Sequence, residues 1–385
     1  MKNAGTDLSR RKPVARHRRL VAATKIASTI LMAWPGWNTL IWTGMGITFI
    51  TPAMSASRRE LLGDLLKATS RSFYLTLQVL PKQVRPQIGL AYLLARTTDT
   101  LADTDILPVD QRLAALQSLA ERIAGRTDTV LNFQELARQQ GLPAERVLLE
   151  KVEASLALLG ELDPADLALV RSVLEVITSG QELDLRRFAG AGGQHIITLA
   201  TDAELDDYTY RVAGCVGEFW TRICRAHLFP QAPLDAAQLL AEGIRFGKGL
   251  QLVNILRDLP GDLGQGRCYL PRTTLTAAGL SPETLWLPEN EGRFLPLFHH
   301  YLDQAEAHLR AGWHYTNTLP RRCVRVRLGC AWPILIGMPT IAKLRAARGA
   351  ELRQRVKMSR REVRGMLLRS VVFYPFPGTW QKLLR

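Results

Sequence analysis

Two aspartates on one predicted helix are the first residues in this sequence whose type and spacing suggest chemistry. Asp99 and Asp103 are four residues apart in a run that begins at Leu90, so a helix brings both to one face. Tyr92 and Arg96 lie on the same stripe. Two carboxylates one turn apart repel each other unless a cation lies between them, and their oxygen atoms suit a hard ion such as Mg²⁺ that also bridges to phosphates. A solvated acidic helix face is the alternative interpretation of this spacing.

A second pair of aspartates, Asp258 and Asp262, repeats the four-residue spacing. On the same predicted helix Gln251 and Asn254 join Asp258 in a polar line at i, i+3 and i+7 among apolar residues. A polar line on an apolar helix needs partners inside the protein or a wet cavity. Arg257 lies beside this pair, as an arginine also lies beside the first. Together the two pairs predict a two-sided diphosphate site, in which carboxylates hold Mg²⁺ and guanidinium groups bind phosphate oxygens.

At this point the sequence resembles the squalene/phytoene synthases, a family of all-helical enzymes that join prenyl diphosphates head to head. The resemblance covers roughly residues 60 to 365 and is carried by SRSF (70–73), ARTTDTLADT (95–104), YTYRVAGCVGEFW (208–220) and QLVNILRDLPGD (251–262) with GRCYLP (266–271). It implies an all-α fold, a single-domain helical bundle of the isoprenoid-synthase type with a central cavity.

The resemblance also implies roles for individual residues. The aspartates that bind Mg²⁺ and take part in catalysis would be Asp99, Asp103, Asp258 and Asp262. The side chains that bind the substrate diphosphates would be Ser70, Arg71, Arg96, Arg257, Arg267, Gln251 and Asn254, the last two of which could instead form a structural polar ladder. Tyr208, with Tyr92 nearby, matches a tyrosine that handles the proton lost in the first half-reaction. A phenol with a pKa of about 10 needs help from a departing diphosphate or a nearby arginine to do so.

The C-terminal third bears on which reaction we expect. VKMSRREV (356–363) resembles the basic motif with which squalene synthases contact the phosphate of NADPH, so Lys357 and Arg360 are predicted to bind this cofactor. The match is partial, because Ser359 stands where the family usually has a basic residue. A basic surface segment is the alternative.

We therefore expect two farnesyl diphosphates to be condensed through presqualene diphosphate to squalene, with reduction by NADPH. A first alternative is an enzyme of the same fold that makes presqualene diphosphate, dehydrosqualene or phytoene without a reductant. A second is a non-catalytic, membrane-associated partner subunit, although the intact aspartate pairs argue against it. The apolar walls of the cavity matter in every catalytic case, because water quenches a carbocation to an alcohol.

The formal charge of +15 is unevenly distributed along the chain. Residues 1–25 hold eight basic residues and one acidic residue, and residues 310–385 hold seventeen and two, so the centre is mildly acidic. This distribution argues against nucleic acid as a partner and fits an anionic substrate, an anionic cofactor or an anionic membrane surface near the C-terminal part. A solvated basic helix face is the alternative. Five cysteines without a CxxC pair predict reduced thiols in a cytosolic protein.

The N-terminal region, residues 1–57, permits several interpretations. A basic arm precedes a run without any charge from Ile26 to Ser57, which is long enough to span a bilayer but is interrupted by proline and glycine. The run is a membrane anchor, a signal peptide or an upstream extension, since Met54 looks like a natural start for the family.

The remaining chain is expected to form a catalytic domain over residues 58–370 and an apolar, basic tail over residues 371–385. SVVFYPFPGTW (370–380) would suit a membrane surface. We therefore expect a cytoplasmic enzyme associated with the cytoplasmic face of a membrane.

Helical periodicity continues almost without interruption from residue 58, and prolines and caps set its boundaries. Pro86 is predicted to open a helix in its first turn, and Asp163 followed by Pro164 is a typical helix start. Pro260 removes a backbone donor between the two aspartates of the second motif, so a kink or an end of the helix is predicted there. No run alternates like a strand with turn signals, which excludes a Rossmann unit for a nucleotide.

Overall fold

The computed structural model describes residues 56–70 and 73–384. The N-terminal run and Arg71 lie outside the described residues, so the predictions made for them stay predictions. The described residues form an all-α fold, as predicted. Its first helices are α1 (Ala56–Arg59), α2 (Leu66–Ser70), α3 (Phe73–Val79), α4 (Arg85–Asp103), α5 (Val109–Ala124), α6 (Gln134–Gln139), α7 (Pro143–Glu150), α8 (Val152–Gly160) and α9 (Pro164–Arg187).

The second half of the chain continues in the same way. Its helices are α10 (Asp202–Thr209), α11 (Cys215–Leu228), α12 (Ala236–Gly264), α13 (Arg272–Ala277), α14 (Glu291–Thr318), α15 (Val324–Ala346), α16 (Arg360–Phe373) and α17 (Pro377–Gln381). Two short strands, β1 (Ile197–Thr198) and β2 (Arg267–Cys268), pair in parallel with Ile197 opposite Arg267. Segments of π-helix cover Glu60–Leu65 and Tyr210–Gly214, and the second of these joins α10 to α11.

Two predicted helix starts are confirmed. Pro86 lies in the first turn of α4, where its missing N–H costs no helical hydrogen bond. Asp163 is the N-cap of α9, and its Oδ1 accepts hydrogen bonds from the backbone N–H groups of Ala165 and Asp166 at 3.1 and 3.0 Å.

Of the two outcomes predicted at Pro260, a kink or an end of the helix, the end is wrong, because α12 continues to Gly264. The proline removes one helical hydrogen bond, but Leu256, Leu259 and Leu263 are buried on either side of it, and α12 packs against α14 along its length. Packing of this apolar face outweighs the loss of one backbone donor. Asp262 is therefore held inside a regular helix.

Helices α11 and α12 approach each other unusually closely at glycines. A Cβ atom on Gly217 would lie 1.9 Å from the carbonyl oxygen of Gly243, and one on Gly247 would lie 2.1 Å from that of Ala213. Only hydrogen atoms fit between the two backbones at these points. The close approach sets the position of every side chain that the two helices direct into the interior.

Helix α15 continues through both Pro333 and Pro339. No helix of the described chain is at once long and apolar enough to cross a bilayer. The five cysteines are free; all but Cys323 are buried, as expected for thiols within the core.

Candidate active site

Two cavities follow one another along the same helices. The larger one, which we call the apolar cavity, has a volume of about 150 Å³ and is lined by residues of α3, α4, α9, α11, α12, α14 and α15. This is the predicted central cavity. The smaller one, which we call the acidic pocket, is lined by Asp99, Ala102, Asp103, Gly180, Gln181, Asp184, Leu185, Tyr208, Val212 and Arg267.

The lining changes from apolar to acidic within about one helical turn. On α4 the apolar cavity is lined as far as Ala95, and the acidic pocket begins at Asp99. On α9 the same change occurs between Ile177 and Gly180. Between α10 and α11, the neighbouring residues Val212 and Ala213 line one cavity each. The acidic pocket therefore lies at one end of the apolar cavity.

Asp99 is a strongly perturbed carboxylate of the acidic pocket. Its Oδ1 accepts a hydrogen bond of 2.6 Å from Gln181 Nε2, and its Oδ2 lies 3.4 Å from Arg96 Nη1. Burial raises the pKa of Asp99 to about 7; the nearby charge of Arg96 lowers it, and that of Asp103 raises it further. A cation placed between the two aspartates would restore full ionisation at neutral pH.

Arg96 is held between two carboxylates. In addition to its contact with Asp99, its Nη2 forms an ion pair of 2.8 Å with Glu145 of α7. Burial lowers the pKa of Arg96, but the charges of Asp99, Tyr92 and Glu145 outweigh this effect and raise it. Glu145 thus fixes the arginine beside the first aspartate, a contact that joins residues 49 positions apart.

Tyr92 and Ser70 are among the predicted residues that lie away from the acidic pocket. Tyr92 lines the apolar cavity, and its hydroxyl group donates to the backbone oxygen of Thr69 at 3.2 Å. Ser70 is buried, and its hydroxyl group donates to the backbone oxygen of Leu66 within its own helix. The contact between Tyr92 and Thr69 ties α2 to the wall of the cavity.

Asp184 is a site residue that sequence reasoning missed. Its Oδ2 accepts a hydrogen bond of 2.9 Å from the hydroxyl group of Tyr269, while its buried Oδ1 has no hydrogen-bond partner among the described residues. The signal was present, because Gln181 and Asp184 are polar at i and i+3 on α9, directly after the apolar residues Val173 and Ile177. The polar spacing on α12 is easier to identify in the sequence, because a pair of aspartates, Asp258 and Asp262, accompanies it.

Tyr208 lies inside the acidic pocket beside a second tyrosine. Its ring stacks on that of Tyr269, with the ring centroids 4.7 Å apart. Burial raises the pKa of Tyr208 well above its ordinary value, and the charge of Asp184 adds to this effect. The phenol therefore stays protonated at neutral pH, so its O–H group is available as a hydrogen-bond donor.

Arg267 brings the two aspartate motifs into one electrostatic environment. Burial lowers the pKa of this arginine, but the charges of Tyr269, Asp184, Asp103 and Asp262 outweigh it and raise the pKa above its ordinary value. These acids belong to α4, α9 and α12. The guanidinium group also lies over the ring of Phe188, 5.7 Å from its centroid. Arg267 is thus the cation on which the acids of three helices converge.

Asp258 is neutralised by two arginines. Its carboxylate oxygens lie 2.7 Å from Arg257 Nη2 and 2.8 Å from Arg355 Nε. Sequence reasoning missed Arg355, which lies in the segment between α15 and α16 and reaches Asp258 across 97 positions of the chain. Asp262 is 2% exposed, one turn further along α12. The second aspartate motif therefore consists of a doubly paired carboxylate and a buried one.

Gln251 and Asn254 line the apolar cavity and are bonded to each other. Asn254 Nδ2 donates to Gln251 Oε1 at 3.2 Å. The buried Nε2 of Gln251 and Oδ1 of Asn254 have no hydrogen-bond partner within the described part of the chain. This geometry agrees with a structural polar ladder and also with ligand binding. In both cases the amide N–H of Gln251 and the amide oxygen of Asn254 can still take part in hydrogen bonds.

The two predicted cofactor residues lie at the surface. Lys357 and Arg360 are exposed, and neither lines the two cavities. The departure from the family motif at Ser359 has a structural reason. Ser359 is the N-cap of α16: it accepts a hydrogen bond of 3.2 Å from the backbone N–H of Glu362, whose carboxylate accepts one from the backbone of Ser359. This reciprocal cap was visible in the sequence as Ser-Arg-Arg-Glu.

The lining of the acidic pocket is chemically compatible with a hard divalent cation. Asp99, Asp103 and Asp184 offer carboxylate oxygens, and Oδ1 of Asp184 is buried without a hydrogen-bond partner among the described residues. The pocket also lies near the C-terminal ends of α4 and α9. Helix dipoles place negative partial charge at such ends, which favours a cation.

Another cluster of metal-type ligands, Asp163, Asp166 and His227, lies elsewhere in the fold. It surrounds the N-terminus of α9, where the helix dipole opposes a cation. His227 Nε2 lies 2.7 Å from Asp166 Oδ1, and Gln87 Nε2 donates to the other oxygen at 2.7 Å. Hydrogen bonds already satisfy this cluster, so we assign it a structural role.

An all-helical bundle with a charged pocket at one end of an apolar cavity suits a substrate with a charged head and an apolar tail. Residues 66–362 match the squalene/phytoene synthase family. The chain is 30% identical over 275 residues to a presqualene diphosphate synthase of Rhodopseudomonas palustris, covering 71% of this chain and 82% of the relative. It is 26% identical over 285 residues to a squalene synthase of Saccharomyces cerevisiae, covering 72% and 60%.

The fold agrees with these relationships. The structure of TcSQS in complex with the ligand E5700 superposes with a TM-score of 0.68 at 21% identity, covering 86% of this chain and 89% of that one. The chain therefore belongs to the squalene/phytoene synthase family, and it is a prenyltransferase.

Proposed function

We propose that this enzyme joins two farnesyl diphosphates head to head and that its product is presqualene diphosphate. The observation that carries the proposal is the acidic pocket at one end of an apolar cavity. This arrangement matches a molecule with a charged diphosphate head and a hydrocarbon tail. Similarity to a presqualene diphosphate synthase over 82% of that protein supports the choice of product.

The length of the apolar cavity supports a substrate with fifteen carbons. Along α12 its lining extends from Gly243 to Asn254, which is about 16 Å at 1.5 Å per residue. An extended carbon chain advances about 1.3 Å per bond, so the twelve-carbon main chain of farnesyl spans about 14 Å and that of geranylgeranyl about 19 Å. Trp220 lines the end of the cavity away from the acidic pocket, beside Gly329. The lining along α12 is therefore closer in length to a farnesyl tail than to a geranylgeranyl tail.

In the proposed reaction the first farnesyl diphosphate loses its diphosphate, and the resulting allylic cation is attacked by the double bond of the second. Mg²⁺ held by Asp99, Asp103 and Asp184 would neutralise charge on the diphosphates. Arg267 contributes a fixed positive charge in the same pocket. Val216, Phe219 and the other apolar lining residues exclude the water that would quench a cation.

Closure of the cyclopropane ring requires loss of one proton, so two farnesyl diphosphates give presqualene diphosphate, free diphosphate and one proton. Tyr208 does not serve as the base by itself, because burial raises the pKa of its phenol and keeps it protonated. We assign it instead the role of donating a hydrogen bond to the departing diphosphate, whose oxygen takes up the proton. Tyr208 lines the same small pocket as Asp99, Asp103 and Asp184.

Reduction of presqualene diphosphate to squalene by NADPH is a second candidate function. The segment VKMSRREV and the similarity to a squalene synthase favour it. Because Lys357 and Arg360 are exposed, the phosphate of NADPH would bind at the surface. The part of NADPH that donates hydride would then have to extend from this surface site to the apolar cavity.

Product analysis distinguishes these functions. The enzyme is incubated with farnesyl diphosphate and Mg²⁺, with and without NADPH, and the products are identified by mass spectrometry. Presqualene diphosphate in both reactions supports the proposal, and squalene that appears only with NADPH establishes the second function. Turnover of geranylgeranyl diphosphate alone would refute the farnesyl substrate, and no turnover of either would favour the partner-subunit alternative. Asp103→Asn should abolish activity, whereas Asp207→Asn at the surface should leave it unchanged.

A further inference from the structure

The C-terminal helix α16 carries an exposed apolar stripe. Leu368, Val371 and Val372, at i, i+3 and i+4, are 66%, 51% and 51% exposed, and Phe376, just beyond the helix, is 60% exposed. We call these four residues the α16 stripe. They are four of the seven large apolar side chains that the described chain exposes. Single exposed apolar residues are ordinary, but a cluster on one face indicates an interaction surface.

The opposite face of α16 is fixed to the protein. Val363 and Ser370 are buried, and Trp332 Nε1 of α15 donates to Ser370 Oγ at 3.0 Å. Beyond α16, Trp380 is buried and stacks on Trp313, with the ring centroids 5.3 Å apart. The helix is therefore anchored on one side, and the α16 stripe faces away from the core.

Positive charge surrounds the α16 stripe. Arg360, Arg361 and Arg369 are exposed on the same helix. The acid of this helix, Glu362, is paired with Lys343 of α15 at 2.9 Å. An apolar face bordered by arginines matches a lipid surface with anionic headgroups, in which apolar side chains enter the acyl boundary and arginines meet phosphate.

We propose that the α16 stripe docks this protein on an anionic lipid surface. A second copy of the chain is a poorer partner, because a symmetric contact would bring the arginines of both helices together. Nucleic acid is poorer still, because the centre of the face is apolar. The proposal does not depend on which product the enzyme makes.

The docking face is connected to the cavity wall. Helix α15 lines the apolar cavity with Gly329, Cys330 and Pro333, and its Trp332 holds α16. Helices α15 and α16 therefore lie between the site proposed for the substrate tail and the proposed lipid surface. This arrangement suits an enzyme that exchanges hydrophobic molecules with a membrane.

A fluorescent label tests the contact at the level of single positions. Leu368→Cys and Val130→Cys are each made in a Cys323→Ser background and labelled with an environment-sensitive dye; Val130 is 74% exposed in the connection after α5. Vesicles of phosphatidylcholine, with or without phosphatidylglycerol, are then added. We expect a blue shift and a rise of emission at position 368 only with the anionic vesicles, quenching by a lipid-borne quencher, and reversal by high salt.

Equal responses at positions 368 and 130, or no response at 368, would overturn the proposal. So would a response at 368 that rises with protein concentration without lipid, since it would indicate a second copy of the chain. The double variant Arg361→Glu and Arg369→Glu should weaken binding to the anionic vesicles at least tenfold, from about 1 kcal/mol per basic residue near such a surface. Its product formation in detergent solution should be unchanged, which shows that the fold is intact.

Discussion

Arg355 Nε lies 2.8 Å from Asp258 Oδ1, so the segment before α16 is tied directly to the second aspartate motif. Because of this contact, the basic residues just before α16 do not all have the same role. Arg355 reaches inward and is partly buried, whereas Lys357, two residues later, is exposed. The two basic residues offer a matched pair for mutation.

Arg355→Ala should lower kcat/KM for presqualene diphosphate formation about ten- to hundredfold, since loss of a charge-assisted hydrogen bond to a buried carboxylate costs about 1.5–3 kcal/mol. Lys357→Ala should leave this step within twofold of the wild type. Steady-state assays of diphosphate release compare the two variants, and Arg355→Lys should recover part of the activity. Equal losses of kcat/KM in Arg355→Ala and Lys357→Ala would show that the two residues do not differ in role.

Asp184→Asn should raise the Mg²⁺ concentration needed for half-maximal activity about tenfold or more, because it removes a carboxylate from the acidic pocket but preserves a hydrogen-bond acceptor for Tyr269. Titration of activity with Mg²⁺, together with calorimetry of Mn²⁺ binding without substrate, measures the change. Asp207→Asn is the control, since Asp207 pairs with Arg211 outside the pocket. If Asp184→Asn needs the same Mg²⁺ concentration as the wild type, Asp184 does not bind the metal.

The raised pKa of Asp99 predicts a pH dependence of stability in the metal-free protein. Burial raises this pKa from 3.8 to about 7, so between these pH values the folded protein holds a proton that the unfolded chain has released. Stability therefore falls as the pH rises through this window. Asp99→Asn should abolish the fall and be more stable than the wild type at pH 8, by at most about 4 kcal/mol.

Urea denaturation in EDTA at pH 4 and pH 8 measures this difference. The two proteins should be nearly equal at pH 4, and Mg²⁺ should stabilise the wild type at pH 8 but not the variant. Asp64→Asn, which changes an exposed carboxylate, should behave like the wild type. If the stability difference between Asp99→Asn and the wild type is the same at pH 8 as at pH 4, burial does not destabilise the ionised form of Asp99.

Trp220→Ala should shift the substrate preference toward geranylgeranyl diphosphate. The indole lines the apolar cavity at the end beside Gly329, and its removal extends the cavity by part of one isoprene unit. We expect the ratio of kcat/KM for the longer to the shorter substrate to rise about ten- to a hundredfold, the range for one or a few methylene groups in a hydrophobic pocket. Leu287→Ala, at an exposed position, is the control. An unchanged ratio would place the length limit elsewhere.

Gly217→Ala should destabilise the protein by about 1–3 kcal/mol or more, because the added methyl group would overlap the carbonyl oxygen of Gly243. Gly63→Ala meets nothing within 4 Å and should be neutral or slightly stabilising, since alanine is the better helix former. Thermal unfolding of both variants gives the comparison. If Gly217→Ala unfolds at the wild-type temperature, α11 and α12 are not as close as described.

The sequence alone was sufficient for the features that depend on local periodicity. Four-residue spacing places Asp99 and Asp103 on one face of α4, and capping chemistry correctly predicts the starts at Pro86 and Asp163. The ordered motifs were sufficient for the family and the all-α fold. These predictions succeed because helical geometry and caps involve residues only a few positions apart.

Tertiary structure decided which of these residues meet. It brought Asp184 of α9 into the acidic pocket, joined Arg355 to Asp258 across 97 positions, and left Lys357 exposed. It also carried α12 through Pro260, because burial of the flanking leucines outweighs one lost backbone hydrogen bond. Contacts of this kind depend on how whole helices pack, and no spacing along a single chain segment encodes that packing.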